Sequence, residues 1–312
     1  MDPVAHAAAH LRAGGLVVMP TETVYGLAAV ARDAAAVRRV FEAKGRPATN
    51  PLIVHVSTLE MARGCCAHWP AEADALARAF WPGPLTLVLR RAEWVPDVVT
   101  AGGGTVAVRV PQHPVALALI EAVGEPLVAP SANRSGYVSP TRGEHVREVW
   151  SEADVLVLDG GPCEVGLEST VVAVGDGHLR VLRPGVIGAD ELGPIADMPV
   201  VEGEGGSEVA TSPGLIGPHY QPRARVVLVH TIHEIGAVTG DTHAVVLLPP
   251  GESAHGGVRM PVDAAAYGRG LYAELREADD TGASVIVVCV PGGEGPVWDA
   301  IRERLGRAAA PR

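Results

Sequence analysis

Two hydrophobic periods alternate along the chain. Residues 4–13 read as a short helix feeding an apolar run, Leu16 to Met19, which Pro20 breaks. Hydroxyls at Thr21 and Thr23 follow, with Glu22 between them. A helical pattern comes next: Asp33 is placed to cap it, and Ala34, Val37, Val40 and Phe41 recur at three and four residues, predicting one buried face. Lys44-Gly45-Arg46-Pro47 closes it, and Leu52 to Val56 is a second apolar run. Strand, polar turn, helix, basic turn, strand is how an α/β fold places chemistry at strand ends.

Ser57 and Glu60 fit a capping box for a helix through about His68, and Glu72 to Phe80 predicts another, ended by Trp81-Pro82-Gly83-Pro84. Leu85 to Arg90 is a strand. In Thr105 to Val110, Val106, Val108 and Val110 alternate with Thr105, Ala107 and Arg109, so Arg109 stands opposite the valine face, where it can enter a cleft. Pro114 suits a helix start and Gly124 its end. Leu127 to Ala129, Val155 to Leu158, Thr170 to Val174 and Leu179 to Leu182 supply short strands, and the unequal connections imply a mixed sheet. Pro199 to Gly206 is acidic and glycine-rich, a mobile connection by composition. Beyond it, Val226 to Val229, Ala244 to Leu248 and Ser284 to Val290 are candidate parallel strands. Asp263 caps a helix with Tyr267, Leu271 and Leu275 inward, and Pro296 starts the last helix, with Val297, Ile301 and Leu305 inward. The expected fold is α/β: a large twisted mixed-sheet domain with a cleft (1–200), a linker (201–223) and a smaller Rossmann-like domain (224–312).

Composition adds limits. The 312 residues suffice for two domains, and 47% apolar with 20% charged residues describes a soluble globular chain. Aromatics make up only 4%, so the core must rest on Val, Leu, Ile and Ala. A formal charge of −11 gives no whole-molecule attraction for nucleic acid or an anionic membrane, although a local cationic cleft stays open. With no targeting segment and no run of 18 apolar residues, a cytoplasmic protein without membrane contact is expected. Cysteines 65, 66, 163 and 289 have neither finger spacing nor staple density and read as reduced packing residues. Lys44 is the only lysine among 25 basic residues. A lone lysine beside Gly and Arg suggests phosphate binding, with a solvated basic helix end as the alternative.

Several common machines are missing. Gly102-Gly103-Gly104 precedes Thr105 rather than Lys-Ser/Thr, so it is no P-loop. His55, His113 and His219 lack metal-ligand spacing, and Ser131 and Ser169 lack a nucleophile-elbow frame. The small domain has no Gly-x-Gly-x-x-Gly after its first strand, so nothing there argues for a cofactor. Neutral donors, a few cations and no covalent candidate suit a reaction run by positioning and phosphate-charge neutralisation.

PTETVYGL at 20–27, KGRPATNPLIVHV at 44–56, FWPGPLTLVL at 80–89, TVAVRVP at 105–111 and APSANRSG at 129–136 resemble the Sua5/YrdC/YwlC family, and DGGPCEVGLESTVV at 159–172 with LRPG at 182–185 extends the match. SPG and HYQP within 212–222 look like the linker of its long, two-domain form. The resemblance implies a YrdC-like catalytic domain, a Sua5-type C-terminal domain, and synthesis of L-threonylcarbamoyladenylate from L-threonine, bicarbonate and ATP. It implies ATP contacts at Arg46, Asn50, Thr105, Ser131, Ser139, Arg183 and Tyr220, with Lys44 as a phosphate-facing cation and Lys44 and Arg46 stabilising phosphoryl charge. It implies threonine contacts at Thr23, His55, Arg109 and Ser169, closed by the backbone near Ala129. Mg²⁺ would come with ATP, held mainly by phosphates rather than by protein ligands. The product would pass to a separate transferase modifying transfer RNA, and a weak contact with that RNA stays open. The family usually carries a lysine after SPG, where this chain has Leu215 and Ile216, so two outcomes stay open: a linker that closes less tightly, or one that uses Arg223 instead. A carbamoyl-adenylate enzyme with another acceptor, and an RNA-binding module, remain alternative readings.

Overall fold

The structure is a computed structural model that describes residues 2–151, 155–175, 177–203, 219–239, 243–252 and 257–311. It begins with α1 (Pro3–Arg12), β1 (Val17–Met19), β2 (Gly26–Val30), α2 (Ala34–Lys44), β3 (Ile53–His55), α3 (Leu59–Gly64), α4 (Ala71–Phe80), β4 (Leu85–Arg90), α5 (Asp97–Thr100) and β5 (Thr105–Arg109). Then come α6 (Pro114–Val123), β6 (Leu127–Val128), α7 (Gly143–Arg147), β7 (Leu156–Val157), β8 (Thr170–Gly175), β9 (His178–Arg183), α8 (Ala189–Ala196) and β10 (Val200–Glu202). The rest is β11 (Arg225–Val229), α9 (Ile235–Thr239), β12 (Ala244–Leu248), β13 (Val258–Arg259), α10 (Ala264–Asp280), β14 (Val285–Cys289) and α11 (Pro296–Ala308).

The first ten strands form one mixed sheet, ordered β10-β9-β8-β4-β5-β3-β6-β2-β1-β7. The last four form a parallel sheet, β11-β14-β12-β13, as the Rossmann-like layering predicts. Strand alternation divides the large sheet's faces. Leu85, Leu87, Leu89, Val106, Val108 and Val172 join the main core under the helices. Val88, Ala107, Val171 and Leu182 form a smaller apolar patch on the opposite face, the face to which Arg109 belongs.

Local chemistry explains most boundaries. The Asp33 carboxylate accepts from the N–H groups of Ala35 and Ala36, capping α2. Gly45 ends that helix at φ +64°, a left-handed cap that glycine adopts without strain. Asp263 caps α10 and Gly124 ends α6, as expected. Other expectations need correction. Thr58, not Ser57, caps α3, which stops at Gly64 instead of about His68. The small residues Gly26–Val30 form a strand between the polar turn and α2, because they pair with β1 and β6. Within the acidic connection, Val200–Glu202 pairs with β9 and extends the large sheet. The expected linker residues Ser212, Pro213, Gly214, Leu215 and Ile216 lie outside the described residues. No helix among the described residues is long and apolar enough to cross a membrane.

The two sheets share a core. Val24, Val138 and Leu167 pack with Tyr220, Tyr267, Leu271, Tyr272, Leu275, Ile301 and Leu305 of the C-terminal segment. Polar ties surround it. Arg276 on α10 donates to Glu148 (3.0 Å) and to the Val138 carbonyl (2.7 Å). Asp279 accepts from Tyr137 Oη (2.7 Å), Arg223 Nε (2.9 Å) and Ala224 N (2.8 Å). Arg223 also donates to Asp280 (2.7 Å), so its guanidinium bridges two carboxylates at the end of α10. Burial alone would raise the Asp279 pKa, but the hydrogen bonds from Ala224, Tyr137 and Arg223 outweigh it and hold the carboxyl below its ordinary 3.8.

A lowered folded-state pKa means that the stabilisation is present above 3.8 and is lost as pH falls through the lowered value. Asp279→Ala should therefore cost about 1–3 kcal/mol at neutral pH by orphaning its donors, and should flatten the acid limb of stability. Urea midpoints between pH 3 and 7 measure both, and an acid limb identical to wild type would refute the assignment.

Candidate active site

Pro20 stops β1, and the chain turns on Thr21, whose Oγ1 accepts from the N–H groups of Thr23 and Val24 (both 3.2 Å). Thr21 gives its own proton to the Val24 carbonyl (2.6 Å) and lies 2.9 Å from Thr23 Oγ1, so Thr23 is the donor between the two hydroxyls. Arg109, at the end of β5, donates from Nη1 to Thr23 Oγ1 (2.9 Å) and from Nε to the Gly83 carbonyl (3.1 Å). Its Nη2 lies 2.6 Å from Glu22 Oε1 as an ion pair without hydrogen-bond alignment. Both partners are almost wholly buried. Parallel pairing of β3 with β5 sets His55 beside Arg109. Burial, reinforced by Arg109, outweighs the Ile53 backbone and pushes the His55 pKa down to about 3, so the ring is neutral at physiological pH, and its buried Nδ1 meets no hydrogen-bond partner among the described residues. Gly26 completes this end: a Cβ there would stand 3.0 Å from the Ala129 Cβ, so glycine lets the Ala129 backbone close in.

The same cleft continues past Ser169, whose Oγ lies 2.7 Å from Thr86 Oγ1. Arg183 grips the Ser169 carbonyl with Nε (3.1 Å) and Nη2 (3.0 Å), and Nη2 also reaches its Oγ (3.1 Å). Opposite lies Arg46, holding the carbonyls of Asn50 (3.2 Å) and Pro51 (2.9 Å). Burial, with a contribution from Arg183, pushes its pKa down to about 10, which leaves it charged at neutral pH. Ser131, Ser139 and Tyr220 finish the lining of this partly open cleft, whose cavity volume is about 60 Å³. Tyr220 is 4% exposed, has φ +63°, and stacks on Tyr272 with centroids 5.4 Å apart. A bulky residue at that φ stores strain.

The structure thus brings Thr23, His55, Arg109, Ala129 and Ser169 together with Arg46, Ser131, Ser139, Arg183 and Tyr220. Three expected nucleotide contacts stand elsewhere. Lys44 ends α2, is 2% exposed, and donates Nζ to the carbonyls of Ser131 and Asn133, two residues of the cleft lining. Burial, together with Arg46 and Arg134, holds its pKa well below the ordinary lysine value. The amine thereby ties the end of α2 to the 131–133 loop. Asn50 is buried beside Arg46, its carbonyl engaged and its Oδ1 unpartnered. Thr105 opens β5 two residues before Ala107 and lines a wider groove with Arg90, Ala173 and Arg180.

Two carboxylates went unassigned in the sequence. Glu22 steadies Arg109, and Glu168 lines the cleft beside Ser169. Glu168 accepts from Ser139 Oγ (2.7 Å), Tyr272 Oη (2.8 Å) and Arg304 Nε (3.0 Å). Burial would raise its pKa, but Arg304, Arg183 and these hydrogen bonds hold it below the ordinary value, so it is ionised. The signal was an acid inside each otherwise neutral motif, TET and LEST. Among the described residues, no group of three or more His, Cys, Asp or Glu is placed to hold a metal ion.

Comparison with known proteins agrees with this geometry. A family model described as "Telomere recombination", of the Sua5–YciO–YrdC type, matches residues 9–185, and one described as "Threonylcarbamoyl-AMP synthase, C-terminal domain" matches 186–310. Threonylcarbamoyl-AMP synthase of Bacillus subtilis is 38% identical over all of this chain and 94% of its own. That of Pyrococcus abyssi is 48% identical over 72% of this chain and 66% of its own. The crystal structure of P. abyssi Sua5 complexed with L-threonine superposes with a TM-score of 0.90 at 37% identity, covering 98% of this chain and 94% of that one. Matched along both its sheets by family, sequence and fold, the chain belongs to the Sua5/YrdC family in its two-domain, threonylcarbamoyl-AMP synthase form.

Proposed function

We propose that the protein is an L-threonylcarbamoyladenylate synthase, consuming L-threonine, bicarbonate and ATP and releasing pyrophosphate. The observation that carries this reading is the single cleft with an amino-acid end (Thr23, His55, Arg109, Ser169) and a phosphate end (Arg46, Arg183). The threonine nitrogen, as free amine, attacks the bicarbonate carbon; water leaves, and N-carboxythreonine forms. Its carboxylate attacks the α-phosphorus of ATP, and the bond to pyrophosphate breaks. Arg109, fixed at three points, presents its fork to the threonine carboxylate, while neutral His55 accepts from the amine or the side-chain hydroxyl. Arg46 and Arg183 stabilise charge on the phosphoryl oxygens in a site largely closed to water.

Mg²⁺ accompanies ATP in this reading. Among the described residues that line the cleft the one carboxylate is Glu168, already engaged through both oxygens, which suits a cation carried by the phosphates. The adenylate is a mixed anhydride, suited to delivery to a transferase acting on transfer RNA; a weak RNA contact and a cytoplasmic location belong to the same proposal. Tyr220 serves as a lid. A cavity of about 60 Å³ holds a few waters, whereas ligand pockets typically run about 300–1,000 Å³, so the Tyr220 segment withdraws for the nucleotide and returns over it.

Pyrophosphate release should require threonine and bicarbonate together, because neither alone makes the carboxylate nucleophile. Equal turnover with bicarbonate and no amino acid would reject the reading and favour another acceptor or plain ATP hydrolysis.

Lys44→Ala should lower stability and turnover together, since it orphans two carbonyls that shape the Ser131 loop, at about 1–3 kcal/mol each. Urea unfolding beside kcat/KM tests this. Lost activity with unchanged stability would instead mean direct phosphate contact.

Tyr220→Ala should speed nucleotide exchange and let adenylate escape earlier while the large sheet stays folded. Stopped-flow nucleotide release and intermediate trapping measure it, and wild-type release rates would remove the lid role.

A further inference from the structure

Two buried side chains of the small unit touch residues that line the cleft. Arg304, on α11, is 1% exposed and uses its whole fork: Nε to Glu168 (3.0 Å), Nη2 to the Pro184 carbonyl (3.0 Å) and Nη1 to Glu303. Its guanidinium also sits 5.6 Å from the centroid of the Tyr220 ring. Tyr272, on α10, is fully buried, donates to Glu168 (2.8 Å) and stacks on Tyr220. Both therefore act on the same two cleft residues, the carboxylate and the lid.

Glu168 is the difficulty these contacts resolve. An ionised carboxylate lining a cleft meant for a polyphosphate would repel it strongly in a dehydrated site. Arg304 supplies the opposite charge from behind, outside the cavity lining. Glu168 Oε1 meanwhile takes the only proton of Ser139, so that hydroxyl meets a ligand as an acceptor, suited to a ribose hydroxyl or an adenine amine.

We propose that Arg304 and Tyr272 are positioning residues of the nucleotide site: they neutralise and orient Glu168, so the small unit completes the ATP site without touching ATP. The inference rests on the assignment of Ser139 and Tyr220 to the nucleotide end. By linkage, nucleotide binding tightens the seat of α10 and α11 to the same extent.

The experiment compares KM for ATP and for threonine, with melting temperatures, in Arg304→Met, Arg304→Met/Glu168→Gln, Tyr272→Phe and Ser139→Ala. Arg304→Met should raise the ATP KM by about 5- to 50-fold, leaving the threonine KM within about twofold. Adding Glu168→Gln should restore most of the ATP affinity, because no uncompensated charge then faces the phosphates. Parallel loss for both substrates, or a double variant no better than the single one, overturns the proposal. If Arg304→Met does not fold, Tyr272→Phe decides, since it deletes one hydroxyl and keeps the ring on Tyr220. A selective rise in its ATP KM supports the proposal, and an unchanged one overturns it. Ser139→Ala separates the two layers. If it leaves the ATP KM unmoved, the nucleotide assignment falls; if it raises the KM while the small-unit variants do not, only the present inference falls.

Discussion

Charge taken out of water governs this molecule more than any single apolar contact. Glu168, Arg183, Arg304 and Arg109 are all nearly inaccessible, and each is tolerable only because its partners are fixed in place. Breaking such a pair typically costs about 3–5 kcal/mol, comparable to a large share of a domain's net stability. The seating of α10 and α11 against the large sheet, the orientation of Ser139 and the resting place of Tyr220 all follow from satisfying Glu168. The contacts that seat the small unit and those that orient the cleft therefore share one carboxylate.

At the amino-acid end, the controlling factor is register. His55 and Arg109 are paired neighbours on parallel strands, and period-two alternation sends both to the face opposite the main core. A slip of one residue would send both inward and turn Val54 and Val108 outward, at a prohibitive cost in buried apolar area. The valines that fill the core thus hold the polar pocket in place. The His55 ring, kept neutral by that burial, is a consequence of the same packing.

Long amphipathic helices and valine-rich strands were legible in the sequence because their periods are local. Asp33, Asp263, Gly124 and Pro296 act where their chemistry predicts. Gly26–Val30 was illegible, since short runs of small apolar residues acquire strand character only from their neighbours. Most of the cleft was legible through motifs, which preserve the order of residues but not their direction. Lys44 shows the difference: the tripeptide around it suggests a phosphate, but its place as the final residue of α2 turns the amine toward two carbonyls. Arg304 and Tyr272 were invisible for another reason. They lie more than 100 residues from Glu168 in sequence, inside helices whose periodicity marks them as ordinary core positions.

The seclusion of the only lysine also sets the chemistry of the protein's exterior. Every other basic side chain is an arginine or a histidine, and Lys44 is sealed beneath the 131–133 loop. The folded molecule consequently displays no side-chain primary amine. Acylating agents, aldehydes and amine-directed cross-linkers find no lysine target until that loop lifts, so acquired reactivity toward them would serve as an intrinsic report that the cleft's supporting wall has opened.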